Sequence, residues 1–281
     1  MKQYSHKITF VQNGRGLWSL DPTMGCASGI ANNRRGCYSE CYAEQAARRR
    51  GFSFGITVRR EFESESHKVS IIRKIAKTNP PFIRMGTNGD PSEHWDHTLD
   101  VCRVVSVCNI PIVIITRHWK ELRDDQLPLL AEYGICINTS VSALDNEVDR
   151  NRSLTQYQRL KPFCHSVLRV VSCDFNRENK LGSELHDIQD RLFQQENTID
   201  TVFRCSARNE WVELGIINAK KTRFLGGFAL ASKRNSNTYF GRCETCPDLC
   251  GANLATRSRA YHLTPPAARG HNAFLHVSQK S

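Results

Sequence analysis

The sequence predicts an α/β protein: a partial (β/α)6 TIM-like barrel, preceded by an N-terminal hairpin and followed by a C-terminal cysteine-rich lobe. Three observations predict it. Short runs rich in Ile and Val alternate with longer helical patterns from Leu17 to Arg204, and near-continuous apolar strands separated by helices read as right-handed βαβ units in a parallel sheet covered on both faces. Polar or glycine residues follow each run, as they follow strand ends. A group of cysteines comes directly after the first run, and the carboxyl ends of parallel strands are where ligands and reactive centres gather. An open doubly wound sheet has the same periodicity, so the pattern leaves closure of the sheet undecided.

At the start of the chain, Ile8 to Gln12, Asn13-Gly14 and Leu17 to Leu20 read as a hairpin with the Asn-Gly turn that two-residue loops favour. Further strands are expected at Phe82 to Met85, Ile112 to Thr116, Ile135 to Thr139, Val167 to Ser172 and Thr201 to Arg204. Helices fit Tyr38 to Arg50, ended by Gly51; Arg59 to Ala76, ended before Pro80; and His97 to Val107, ended before Pro111. Others fit Leu122 to Glu132, Glu147 to Leu160 and Ser183 to Gln195. The division expected is 1–215 for the barrel with its hairpin and 216–281 for the cysteine-rich lobe and tail. Within the second part, Thr222 to Ser232 adds a strand and Pro265 to Ser281 reads as a surface tail.

With 40% apolar and 24% charged residues, the 281-residue chain has the composition of a globular protein. No run approaches the roughly 18 to 20 apolar residues of a spanning helix, and Met1 to His6 lack the apolar core of a signal peptide. Membrane and secretory readings drop out, and a cytoplasmic protein is expected. Thirty-nine Lys and Arg against 28 Asp and Glu give a net charge of +11, an excess that favours polyanionic partners such as nucleic acid. In a reducing compartment, twelve cysteines hold metal or do chemistry more often than they form disulfides.

Six of them, Cys102, Cys108, Cys136, Cys164, Cys173 and Cys205, mostly sit in apolar runs and read as small hydrophobic core residues, with Cys205 a partial exception after a strand end. The other six form two groups: Cys26, Cys37 and Cys41, and then Cys243, Cys246 and Cys250. Three thiolates with no local fourth ligand can hold a cubane iron–sulfur cluster and leave one iron open. A structural zinc completed by a distant Cys or His is the competing use of the first group.

Cys26, Cys37 and Cys41 after the first strand, with the run Cys37-Tyr38-Ser39-Glu40-Cys41-Tyr42-Ala43 and the six-fold βα pattern, resemble the radical S-adenosylmethionine (radical SAM) superfamily over about Leu17 to Arg204. The spacing here is C-x10-C-x3-C, against the superfamily's common C-x3-C-x2-C. The resemblance implies a [4Fe–4S] cluster on these cysteines and S-adenosylmethionine chelated to its open iron, cleaved reductively to a radical that takes hydrogen from substrate. It also implies an electron donor such as a flavodoxin or a ferredoxin. Tyr38 in the cysteine run would face the cofactor. After the second strand Gly86, Thr87, Asn88 and Asp90 would stand where the superfamily contacts the methionine amino group, with a plain Asn-Gly turn as the alternative. Ser140 and Ser142 after the fourth strand would meet ribose or carboxylate, or else cap a helix. Arg169, a charge within an apolar strand, would pair with the S-adenosylmethionine carboxylate or with an internal acid. Thr116, Arg117 and His118 could line the same mouth, and His94 and His97 read as substrate-facing or surface residues.

In the second group, Cys243, Cys246 and Cys250 fall within eight residues beside a Cys-Pro step. The resemblance makes this an auxiliary iron–sulfur cluster, completed by Cys205, His262 or substrate; a zinc knuckle is the alternative. Arginine clusters at Arg34-Arg35, Arg48-Arg49-Arg50 and Arg59-Arg60, and the basic stretches Lys220 to Arg223 and Lys233-Arg234, point to a nucleic acid or nucleotide substrate. Two other classes remain: a zinc-stapled nucleic-acid-binding protein without catalysis, and a non-radical iron–sulfur redox protein.

Overall fold

The computed structural model describes residues 5–32, 37–224, 227–231, 246 and 248–252. In chain order its elements begin with β1 (Val11–Gln12), β2 (Trp18–Ser19), β3 (Thr23–Met24), α1 (Ala27–Asn32), α2 (Tyr42–Arg49), β4 (Val58–Arg59), α3 (Glu65–Thr78) and β5 (Ile83–Met85). Then come α4 (Trp95–Ser106), β6 (Ile112–Thr116), α5 (Leu127–Glu132), β7 (Ile135–Val141), α6 (Glu147–Leu160), β8 (His165–Ser172), α7 (Lys180–Phe193) and β9 (Thr198–Val202). The described chain continues through β10 (Arg204–Cys205), α8 (Glu210–Glu213), β11 (Lys220–Phe224) and β12 (Gly227–Ala231).

One seven-stranded sheet runs in the order β1-β2-β5-β6-β7-β8-β9. From β2 to β9 every neighbouring pair is parallel, so the molecule is the α/β partial barrel that the alternation predicts. Side chains alternate between the two faces of a strand, and the two faces differ here. On one, Ile83, Met85, Ile112, Ile114, Ile135 and Ile137 pack against Ile75, Leu99, Val105 and Leu130 of the helices in the main core. On the other, concave face, Leu17, Phe82, Val113, Ile115, Cys136 and Val167 form a second cluster, covered by Leu249, Cys250 and Ala252. The C-terminal cysteine turn thus sits inside the curve of the sheet. Asn138 Nδ2 donates to the Cys250 carbonyl at 2.9 Å and fixes it there.

Helix ends follow their capping residues. Ser64 and Asn146 accept from the backbone N–H groups three residues on at the starts of α3 and α6, and Asn79 ends α3 in the left-handed region. The expected core strands up to β8 are present, β7 and β8 being longer than the apolar runs alone indicated; the strand expected at Thr201 to Arg204 is instead the end of β9 (Thr198–Val202), Arg204 belonging to β10.

The hairpin differs from expectation in its turn. β1 and β2 pair as Gln12 with Trp18, leaving five residues between them rather than the two of a tight Asn-Gly turn. The cause is Asn13, whose side-chain oxygen accepts from Arg15 N at 2.9 Å and Leu17 N at 3.1 Å, closing a wider loop. The helix expected from Tyr38 starts only at Tyr42, because Tyr38 itself lies in the left-handed region at φ 58°. Thr222 to Ser232, expected to add one strand, falls in the β11–β12 hairpin, which joins β10 in a three-stranded antiparallel sheet. Cys243, His262 and the expected tail lie outside the described residues.

Candidate cluster and cofactor site

Two loops at the carboxyl ends of β2 and β5 are zipped together. Gly25 N donates to the Asn88 carbonyl at 3.0 Å, and Cys26 N to Phe54 O at 2.8 Å. Asp21, buried just past β2, accepts from Gly86 N and Thr87 N, both at 2.9 Å, and so holds the second loop against the first. Burial raises its pKa, opposed by these bonds and by Arg84 and Arg60. Gly86 takes φ +87°, and a Cβ there would stand 2.2 Å from the Ile115 carbonyl, so glycine is required by the close approach of β6.

Of the first cysteine group, Cys26 and Cys41 pack in one cluster and Cys37 lies on the same loop. Cys26 is buried, Cys37 and Cys41 are half-buried, and each acts electrostatically on a neighbour: Cys37 on Cys26, and Cys41 on Cys37. Burial pushes the Cys37 thiol up to about 12, with Arg117 opposing and Cys41 and Asp145 adding to the rise. Burial likewise raises Cys26 and Cys41. Among the described residues no three His, Cys, Asp or Glu side chains close on one point as ligands of a single ion would.

Around this loop the polar residues divide into those consumed by the fold and those left over. Asp90 is mostly consumed: its carboxylate accepts from Ser92 N at 2.9 Å, Ser92 Oγ at 2.8 Å, Thr116 Oγ1 at 2.6 Å and Arg117 N at 2.8 Å. Three of the four fall on Oδ1 and one on Oδ2, which keeps one lone pair. Ser142 is consumed too, donating Oγ to Val171 O at 2.7 Å while its N–H meets Asp145 at 2.7 Å. Ser140 is buried on β7 opposite Arg169 of β8. Thr87 Oγ1 and Trp119 Nε1, by contrast, are buried polar atoms without a hydrogen-bond partner among the described residues. Trp119 packs in the same cluster as Cys26 and Cys41, so its orphaned N–H borders the cysteine loop, while Thr87 precedes Asn88, whose carbonyl accepts from Gly25 N.

Arg117, beyond β6, forms a buried bidentate pair with Asp145 at 2.6 and 3.1 Å and donates to the Tyr38 hydroxyl. Its guanidinium lies over the Tyr38 ring at 5.0 Å and the Trp119 ring at 5.5 Å. Glu93 caps the far side, accepting from Ser28 N at 2.7 Å and Ser28 Oγ at 3.1 Å at the start of α1. Glu40 in the cysteine run reaches across the chain to Ser206 N at 2.8 Å and Asn209 Nδ2 at 3.2 Å. Sequence reasoning missed Asp21, Glu93, Trp119 and Asp145. The signal for Asp21 was an acid directly after a strand; for the others the pairing is tertiary and has no local signature. His94 is partly buried, and His97 Nε2 contacts the Arg60 carbonyl at 2.8 Å, which ties it to the fold.

The second cysteine group lies elsewhere on the sheet. Cys250 neighbours Cys136 electrostatically and bonds the Arg169 side chain, whereas Cys205 neighbours Cys173. Cys246 and Cys250 line one cavity with Arg15, Arg84, Arg169 and Arg204. Burial lowers the pKa of Arg169, opposed by Cys250 and reinforced by Arg84. Arg204 is pulled down to about 10, by burial and by Arg15 and Arg169.

This partial α/β barrel has a solved counterpart of the same fold. Among solved structures, a double mutant of spore photoproduct lyase with bound AdoMet and dinucleoside spore photoproduct is similar at a TM-score of 0.50 and 10% identity, over 93% of this chain and 78% of that one. The likeness is one of fold. No family profile and no curated protein matches the chain.

Proposed function

We propose that the chain is a radical SAM enzyme, that Cys26, Cys37 and Cys41 hold its [4Fe–4S] cluster, and that its substrate is a nucleic acid or a nucleotide. One observation carries the reading: a loop after the first parallel strand on which Cys26 and Cys41 pack in one cluster and Cys37 lies within charge range of both, in a fold shared with a lyase whose structure holds AdoMet and a dinucleoside. The donor set fits the group, since three thiolates leave one iron open, and the orphaned Thr87 hydroxyl and Trp119 N–H supply polar contacts for a cofactor beside it. When bound, the cluster with S-adenosylmethionine supplies one-electron cleavage and hydrogen-atom abstraction.

The chain's own residues orient and shield. Arg117 sets a fixed positive charge beside Cys37, which offsets part of the negative charge of a thiolate-bound centre. Asp145 and Tyr38 hold that guanidinium in place. Asp21 positions Gly86, Thr87 and Asn88 through their backbone and side chains, while Asp90 ties the same loop to β6. Asp90 therefore also positions the cofactor loop, and contact with the amino group is assigned to Thr87, Asn88 and the Oδ2 of Asp90. Cys243, Cys246 and Cys250 are the residues we assign to a second metal, an auxiliary cluster or a zinc, and an electron donor of flavodoxin or ferredoxin type completes the reaction.

Anaerobic purification, iron and sulfide analysis and electron paramagnetic resonance test this. About seven or eight irons per chain are expected with both sites filled by clusters, and about four with the first alone. S-adenosylmethionine should perturb the reduced signal, and Cys37→Ala should abolish both that perturbation and 5′-deoxyadenosine formation. Stoichiometric zinc with no iron after reconstitution would transfer the chain to the class of zinc-stapled binding proteins.

A further inference from the structure

On the concave face of the sheet, four arginines from four separate segments converge on one cavity of about 70 Å³: Arg15 from the β1–β2 loop, Arg84 from β5, Arg169 from β8 and Arg204 from β10. Phe82, Ile199 and Val202 supply apolar lining. Two carboxylates, Asp200 and Asp248, share the lining, and Asp200 is engaged by the Ser172 hydroxyl at 2.5 Å. Cys246 and Cys250 also line it, Cys250 bonding the Arg169 side chain. With these thiols protonated, four guanidiniums against two carboxylates leave an excess of positive charge in a confined space, so the subsite belongs to the chain without a metal on that turn. Among the described residues neither Arg84 nor Arg169 has a carboxylate at ion-pair distance, and Arg84 Nε is buried without a partner. Holding like charges together costs free energy unless an anion joins them.

Size decides what that anion is. A pocket that encloses a whole small molecule runs to about 300–1,000 Å³, whereas a single water needs only about 10–15 Å³ of such space. The cavity therefore admits one tetrahedral group and leaves the rest of its bearer outside. Guanidinium forks match the oxygens of phosphate in pairs. The position agrees: Arg84 lies two residues before Gly86 and Arg169 three before the end of β8, just below the rim that carries the cysteine loop.

We infer that Arg84 and Arg169, flanked by Arg15 and Arg204, form a subsite for a phosphate ester of the substrate, seating it inside the barrel with its sugar and base toward the rim. This rests on the radical-enzyme reading and names the substrate class for it. Arg169, which the resemblance assigned to the cofactor's carboxylate, then serves substrate instead.

The test is equilibrium binding to the full, anaerobically reconstituted chain, with S-adenosylmethionine cleavage measured in parallel. The probes are inorganic phosphate, thymidine 5′-monophosphate, a dithymidine phosphodiester and a dithymidine with a neutral linker. The phosphodiester or the monophosphate should bind at least tenfold tighter than its uncharged counterpart, and Arg84→Gln or Arg169→Gln should erase that gain. Arg169→Lys, which keeps the charge but loses the fork, should retain part of it and controls for misfolding. Preference for the monophosphate identifies a free nucleotide, and preference for the diester a strand. Equal affinity for charged and neutral dithymidine overturns the subsite, as does a matching loss of S-adenosylmethionine affinity in both Gln variants, which would give the pocket to the cofactor. Phosphate discrimination without any S-adenosylmethionine cleavage instead sinks the radical reading and leaves the subsite standing.

Discussion

His118 shows how a single side chain is committed by its surroundings. It follows β6 in the left-handed region at φ 52°, is fully buried, and its Nε2 meets Thr139 Oγ1 at 3.0 Å. Burial, then Arg152 and Arg159, lower its pKa to about 3, so the imidazole is neutral in the fold. The unfolded chain protonates it near the ordinary value of about 6.5. Between those values the unfolded state binds the extra proton, so this contribution to stability is complete above about pH 6.5 and is lost as pH falls toward 3. The expected slope is about 1.4 kcal/mol per pH unit from this one group. His118→Asn tolerates the left-handed backbone and removes the titration. Urea unfolding between pH 6 and pH 4 should show a slope shallower by about that amount, and identical slopes would show that His118 is already protonated or solvated. Nothing local in the sequence marks this, because Arg152 and Arg159 come from α6 and reach His118 only through the tertiary fold. Arg169 was legible, since a charge in an apolar strand is anomalous on sight. Arg117 was legible only as a rim residue; its pairing with Asp145 depends on the packing of two successive βα loops.

The core elements were read from the sequence because their apolar residues are consecutive and strand-length. What eluded the sequence were elements with no periodicity to detect: the two-residue strands β3 and β4, whose pairing of Met24 with Val58 joins residues more than thirty apart, and the six-residue α1. The seat of the second cysteine turn was equally hidden, since only the folded sheet brings Val167 against it. Gly251 makes that seat testable. It takes φ +76°, and a Cβ there would lie 2.6 Å from Val167 Cγ2. Gly251→Ala combines left-handed strain with overpacking, together worth about 1–3 kcal/mol. The turn should lift off the concave face, exposing Cys246 and Cys250 to alkylation several-fold faster while Cys102, buried on the other face, stays protected. Unchanged alkylation of all three would mean that the turn is not held by this contact.

At the scale of the whole molecule, the basic excess and the fold bear on one question that the proposed function raises, whether a nucleic-acid substrate would be a strand or a free nucleotide. A second, more open cavity of about 520 Å³ lies beyond the cysteine loop, lined by Arg48, Arg49 and Arg208 together with Glu40 and Glu44. Arg48 and Arg49 close the last turn of α2, whose N-cap is Cys41, so a helical rise of about 10 to 12 Å separates them from the cysteine. That distance is on the scale of neighbouring phosphates along a strand, so under the proposed function these arginines would hold phosphates next to a reacting unit at the rim. Arg48 pairs with Glu44 at 2.8 Å, but its side chain is 71% exposed, and an exposed pair of this kind is worth little, so it is free to exchange its partner for phosphate. Each phosphate neutralised contributes about 0.7 to the salt slope of single-strand binding. Reversing both charges, Arg48→Glu with Arg49→Glu, should reduce the slope of log affinity against log salt by about 1.4 and weaken binding of a short single-stranded oligonucleotide at least tenfold. Cleavage of S-adenosylmethionine without substrate should be unaffected, since neither arginine touches the cysteine loop. An unchanged slope and affinity would make this surface a solvated helix face and leave the interior arginines to recognise a free nucleotide.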